Sequence, residues 1–146
     1  MWGWRNFLLR LFGARIGRQV HIYPSVRIAV PWNLVVGDNT AVGDGAIVYS
    51  VGAITLGANV TVSQNAHLCA GGHDYRRRDL PLLAPPITVA DGAWVCADAF
   101  VGPGVCVGAY AIVGARAVAL SHVDPWTIII GNPARVQGAR EGFLSE

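Results

Sequence analysis

An aliphatic residue returns every six positions along most of this chain, and that period limits the possible fold more than any other feature. Read in sixes, the sequence becomes VGDNTA, VGDGAI, then LGANVT, VSQNAH, LCAGGH, then VADGAW, VCADAF, VGPGVC, VGAYAI and VGARAV. The openings fall in three phases: Val36, Val42 and Val48; Leu56, Val62 and Leu68; Val89, Val95, Val101, Val107 and Val113. Upstream, IGRQVH and IYPSVR fit the same template from Ile16 and Ile22. Such a period is neither that of a half-exposed strand nor that of a helix. Sustained over about ten units, it marks a β-solenoid, in which no unit buries its apolar side alone and each stacks on its neighbours.

The phase changes carry information of their own. Two are slips of two residues, from Pro31 to Val36 and from Gly52 to Leu56. The third is CAGGHDYRRRDLP, Cys69 to Pro81, where a His, two Asp, a Tyr and three consecutive Arg interrupt a small, apolar pattern.

Composition agrees with a turn-rich β fold. The 18 Gly among 146 residues argue against a helix bundle, since each Gly inside a helix costs about 1 kcal/mol relative to Ala. All eleven basic residues are Arg, balanced by nine acids, which gives no reason to expect a nucleic-acid partner. Three Cys without a CxxC pair indicate neither a disulfide framework nor a zinc clip, and read as small buried thiols in a reducing cytosol.

No apolar run approaches the roughly 18 to 20 residues that span a bilayer. The start, MWGWRNFLLRLFG, has no small-residue cleavage site and does not read as a signal peptide. Trp4, Phe7, Leu8, Leu11 and Phe12 fall on one face of a helix that Gly13 would stop. Such a stripe suits a membrane surface or the open end of a β domain. Covering the end is the preferred reading, with peripheral membrane contact left open. The predicted organisation is an N-terminal amphipathic helix over 1–15, a solenoid over 16–136 with an extruded loop at 74–86, and a tail over 137–146.

The hexads resemble those of the left-handed parallel β-helix acyltransferases. The segments PWNLVVGD, GAITLGANVTVSQNAHLCAGGHDY, VGPGVCVGAYAIVGAR and GNPAR are similar to the colanic-acid biosynthesis O-acetyltransferase group and, more broadly, to the maltose, galactoside and nodulation acetyltransferases. The likeness runs from about Ile16 to Arg135, and SQNAHLCAGGHDY is its specific part. It implies three hexads per triangular coil with the opening aliphatic pointing inward. It also implies acetyl-coenzyme A as acyl donor, a sugar or glycan acceptor, and a cytoplasmic homotrimer with sites between adjacent subunits.

By that resemblance His73 is the general base, and a neutral imidazole, with an ordinary pKa of about 6.5, suits the task. Asp74 either orients the imidazole or faces solvent. Asp44 stands one residue after the place of an acceptor-contacting Asn in galactoside-type relatives, held here by Gly43, and is an acceptor-binding substitute. Trp94 matches a Trp that lines the acyl-transfer cleft, or packs as a surface aromatic. Ala97 and Ala115 match small residues beside the pantetheine arm, though hexad packing alone also demands small residues there. Arg135, in GNPAR, matches a basic residue that contacts coenzyme A, and Arg116 stands in for a Lys that relatives carry where this chain reads LSHVDP; solvated Arg side chains are the plainer reading of both.

No covalent nucleophile is evident, so direct transfer in a ternary complex is expected, with a backbone N–H in the 70–72 stretch or across a subunit boundary as the oxyanion donor. Arg76, Arg77 and Arg78 either help cover the cleft or are simply solvated. Two other functions remain open. One is a non-catalytic solenoid serving binding or assembly. The other is a zinc-dependent, carbonic anhydrase-like hydratase, disfavoured because His67 and His73, six apart, fall on successive sides of the coil and no metal site is expected.

Overall fold

The six-residue period closes the chain into a three-sided coil, seen in a computed structural model that describes residues 2–144. The first face stacks Arg15–Ile16, Leu34–Val36, Ile54–Leu56, Ile87–Val89 and Cys106–Val107 in parallel. The second stacks His21–Ile22, Ala41–Val42, Thr61–Val62, Trp94–Val95, Ile112–Val113 and Thr127–Ile130. The third stacks Arg27–Ile28, Ile47–Tyr49, His67–Cys69, Phe100–Val101 and Val118–Ala119. The result is a parallel β-solenoid of about six turns.

Residue chemistry explains each part of the hexad. The opening aliphatics register directly over one another, as in Ile16↔Val36, Val42↔Val62 and Leu68↔Val101, and fill the prism interior. Burying each contributes about 2 kcal/mol. The fifth position also points in, and it is small or β-branched: Val20, Ala46, Val60, Ala66, Ala93 and Ala111 are all buried. At the fourth position the chain turns through the left-handed region, at Asn39 (φ 58°), Asn59 (56°), Asn65 (57°) and Asp98 (58°). Asn and Asp tolerate that conformation better than other side chains. Tyr110, Arg116 and Trp126 adopt it too, each at φ 60°, and Tyr110 and Trp126 recover contact by stacking on consecutive turns with ring centroids 4.6 Å apart.

All three interruptions of the repeat emerge on one edge, where the third face passes to the first. The slip after Val30 is the 3-10 turn Pro31–Asn33. The slip near Gly52 seats the long excursion between the third and fourth coils. Gly52 donates its N–H to the Ala70 carbonyl at 2.6 Å. A Cβ at position 52 would meet the Ala84 carbonyl oxygen at 2.5 Å and that of Ala70 at 2.8 Å, so both feet of the excursion close around a residue with no side chain.

Four details differ from expectation. The extrusion has a ladder of its own, Gly72–His73 paired antiparallel with Leu82–Leu83, so His73 lies in its first arm and not at the end of a regular hexad. The tail pairs antiparallel at Arg135–Ala139 against Thr127–Ile130 instead of trailing free. No Cys is buried: Cys69 and Cys96 are half-buried and Cys106 is exposed, because residues flanking an inward aliphatic point outward. The helix, Trp2–Leu11, does cover the open end of the first coil, but its buried residues are Asn6 and Leu9 and the predicted apolar stripe faces away. Residues 1, 145 and 146 of the predicted helix segment and tail lie outside the described residues. Among those described, no helix is long and apolar enough to cross a membrane.

Candidate active site

The excursion holds His73 by its backbone. The imidazole Nδ1 lies 2.6 Å from the Leu80 carbonyl oxygen. A carbonyl only accepts, so Nδ1 carries the proton and donates it, and the Nε2 lone pair is left exposed as a proton acceptor. Leu80 reaches this position through φ 44°, a left-handed turn immediately before Pro81. The Asp74 N–H donates to the Pro81 carbonyl at 3.0 Å and ties the second arm of the turn.

Asp74, read from the sequence as either orienting the imidazole or facing solvent, turns its carboxylate to Arg76. Its carboxylate accepts from the Arg76 backbone N–H at 3.1 Å and from the Arg76 guanidinium at 2.9 and 3.2 Å, and these bonds hold its pKa below the usual carboxylate value. Arg77 is likewise paired with Asp79 at 2.9 and 3.0 Å, and Arg78 forms no ion pair among the described residues. Two of the three arginines thus brace the hairpin tip.

The remaining candidates lie elsewhere on the prism. Trp94 stands on the second face, half-exposed, with its indole N–H donating to Ser63 Oγ at 2.8 Å. Ser63 shares a groove with Asp44 and Tyr23, so Asp44 and Trp94 are brought to one surface. The Asp44 carboxylate accepts from the Ser25 hydroxyl. Neither serine was singled out from the sequence, where they look like ordinary small hexad residues.

Ala97 and Ala115 precede the left-handed corners Asp98 and Arg116 on the edge between second and third faces, and Arg116 lies 3.9 Å from Asp98. Arg135 instead lines a groove with Ser121 and His122, apart from that pair. His122 Nδ1 accepts the Cys106 N–H at 3.0 Å, which leaves its Nε2–H as a donor near Arg135.

The prism puts these groups on opposed sides. Its faces follow one another in order, so the third-to-first edge that carries His73 is opposite the second face that carries Trp94. A pocket using both needs two prisms side by side.

The comparisons agree with this architecture. No protein-family model matches the chain. Over 136 residues it is 43% identical to the Escherichia coli K12 protein named as colanic acid biosynthesis acetyltransferase WcaF, covering 93% of this chain and 75% of that protein. The chain belongs to the hexapeptide-repeat acetyltransferases. It is 24% identical over 135 residues to the galactoside O-acetyltransferase of Escherichia coli K12, covering 90% of this chain and 66% of that one. Among solved structures, a maltose O-acetyltransferase from Clostridium difficile 630 superposes with a TM-score of 0.87 at 25% identity, over 94% of this chain and 75% of that one. A hexapeptide-repeat acetyltransferase from Vibrio cholerae, solved with acetyl coenzyme A, shares the fold at a TM-score of 0.89 and 24% identity, over 96% and 78% of the two chains.

One further histidine of this acetyltransferase, on the third face, serves packing. His67 sits edge-on to Phe100, with centroids 5.2 Å apart. Among the described residues, no group of three or more His, Cys, Asp or Glu side chains is placed to hold a metal ion. Burial first, and the Arg27 charge second, push the His67 pKa below its ordinary 6.5. A histidine whose folded pKa is depressed binds fewer protons folded than unfolded, so stability falls as pH drops below about 6.5 toward the folded value. The midpoint of thermal unfolding should fall across that window, and His67→Gln should flatten the dependence. An unchanged slope would show that another group is responsible.

Proposed function

We propose that this acetyltransferase moves an acetyl group from acetyl-coenzyme A to a hydroxyl of a sugar or polysaccharide precursor, in the cytoplasm and as a homotrimer. His73 is the general base. Its exposed Nε2 takes the acceptor's proton as the hydroxyl oxygen attacks the thioester carbonyl carbon. The tetrahedral intermediate collapses with cleavage of the C–S bond, and the imidazolium returns the proton to the departing thiolate. The products are the acetyl ester and the free thiol, and no acyl-enzyme forms.

The observation that carries this reading is the contact of His73 Nδ1 with the Leu80 carbonyl at 2.6 Å on an exposed side chain, which leaves Nε2 of the neutral ring as the proton acceptor. An imidazole fixed in this way loses little orientational freedom on reaching the transition state. Family membership supports the acyl chemistry, and the names of the colanic acid, galactoside and maltose relatives support a sugar acceptor.

In this arrangement Trp94 and Asp44 line the acceptor side of the cleft, while Ala97 and Ala115 leave room for a thin pantetheine chain along their edge. Arg116 and Arg135 face coenzyme A phosphates, for which a guanidinium fork is suited. The backbone N–H groups at 70–72 are the candidate oxyanion donors.

Thiol release from acetyl-coenzyme A, followed with a panel of free sugars, nucleotide sugars and glycolipid intermediates, tests the proposal. Stimulation by at least one sugar hydroxyl acceptor is the expected result. Absence of release with every acceptor, together with no binding of coenzyme A, would favour a solenoid that serves binding or assembly.

A further inference from the structure

The N-terminal helix is mounted with its polar side inward. The open end of the first coil presents backbone carbonyls that no lower coil can pair, and the helix supplies their donors. The Arg5 guanidinium donates to Pro24 at 3.0 Å and Val26 at 2.7 Å, and the Asn6 amide to Val20 at 2.8 Å. Arg10 donates to Ile16 at 2.9 and 3.1 Å and to Gly17 at 2.8 Å. The apolar stripe is left outside, with Trp4 67%, Phe7 53%, Leu11 69% and Phe12 61% exposed. Trp4 stacks on Phe7 with centroids 5.7 Å apart. Trp32, itself 68% exposed, extends the patch: it lies so close to Gly13 that a Cβ there would meet its own at 2.8 Å.

Charge identifies what this patch meets. Arg5, Arg10, Arg15, Arg18 and Arg27 all precede Asp38, the first acidic residue of the chain, and Asp38 pairs with Arg18 at 3.2 Å while Arg15 and Arg27 form no ion pair among the described residues. Arg15 and Arg27 are exposed on the faces of the coil that the helix covers. A second copy docked stripe to stripe would bring the exposed Arg15 and Arg27 of both copies toward one another with no carboxylate paired to either. An anionic bilayer surface supplies both an apolar layer for the aromatics and negative charge for the arginines, and Trp is favoured at that interface.

We propose that this end of the solenoid docks on an anionic lipid surface, with Trp4, Phe7, Leu11, Phe12 and Trp32 entering the boundary between headgroups and acyl chains and Arg15 and Arg27 facing the phosphates. The helix serves two contacts at once, polar to the protein and apolar to the lipid. The proposal is independent of the acyl-transfer chemistry.

Co-sedimentation of the full chain tests it, using vesicles of phosphatidylcholine alone and of phosphatidylcholine with an equal part of phosphatidylglycerol. Binding should be about tenfold stronger to the anionic vesicles and should weaken as salt is raised. The double variant Trp4→Ser, Phe7→Ser should lose about tenfold in binding while keeping its thermal melting and its sedimentation coefficient. If that variant does not fold, the charge reversal Arg15→Glu, Arg27→Glu alters only exposed side chains and should lose binding to a similar degree. Failure of the parent to bind anionic vesicles would overturn the proposal, as would undiminished binding by whichever variant folds. Loss of the assembled state in vesicle-free buffer on removing Trp4 and Phe7 would assign the stripe to a second copy instead.

Discussion

His73→Ala is expected to lower the rate of acetyl transfer by about 10²-fold or more while leaving the solenoid folded. The side chain is exposed and contributes nothing to the prism interior, which is filled by aliphatics such as Leu68 and Val101. Its removal deletes one hydrogen bond, to the Leu80 carbonyl, on a hairpin that keeps its Gly72–Leu83 register and the Asp74 to Pro81 bond. If the imidazole acts on the acceptor's proton, as proposed, the loss appears in turnover with coenzyme A affinity changed little. Steady-state kinetics with the best acceptor, alongside binding of coenzyme A by calorimetry, separate the two. An unchanged kcat would remove His73 from the mechanism. Asp74→Asn gives the contrast: since Asp74 braces Arg76 and does not touch the imidazole, its effect should be much smaller than that of His73→Ala.

Much of this architecture is legible in the residues, because the hexad expresses the same constraints that the coil obeys. The aliphatic opening, the small fifth position and the Asn or Asp at the left-handed corner each follow from one physical demand, and they recur often enough to be read as a period. The two-residue slips were also informative, since they mark the single edge from which the His73 hairpin emerges.

Where reading by pattern failed, the backbone decided. The imidazole is held by a carbonyl at Leu80, and a carbonyl leaves no mark in the choice of side chain, so the residues alone could not decide between Asp74 as partner and Asp74 in solvent. The helix was misoriented for a related reason. A hydrophobic stripe normally turns inward, but the end of a solenoid presents unpaired carbonyls, and Arg5, Asn6 and Arg10 satisfy them better than Trp4 or Phe7 would. The Ser63 contact to Trp94 spans 31 residues and two coils, a separation that only the closed register brings together.

The opposed placement of His73 and Trp94 leads to a second large effect, recovery of activity from two inactive proteins. If each site takes its base from one prism and its acceptor wall from the next, then His73→Ala and Trp94→Ala chains are each defective throughout a homotrimer. When equal amounts are unfolded together and reassembled, a site regains both groups wherever a Trp94→Ala chain supplies His73 to a neighbouring His73→Ala chain that supplies Trp94. Random assembly in a cyclic trimer makes about one site in four complete. Activity should rise from the baseline of either variant reassembled alone to about a quarter of the parent value. A mixture no more active than its components would place both groups of a working site in the same chain. That outcome would conflict with the topology, in which the third-to-first edge and the second face are turned away from one another. Reassembling each variant alone supplies the baseline, and retention of the Val62↔Val95 strand register in both, read as unchanged far-ultraviolet circular dichroism and melting, ensures that the gain comes from shared sites and not from rescued folding.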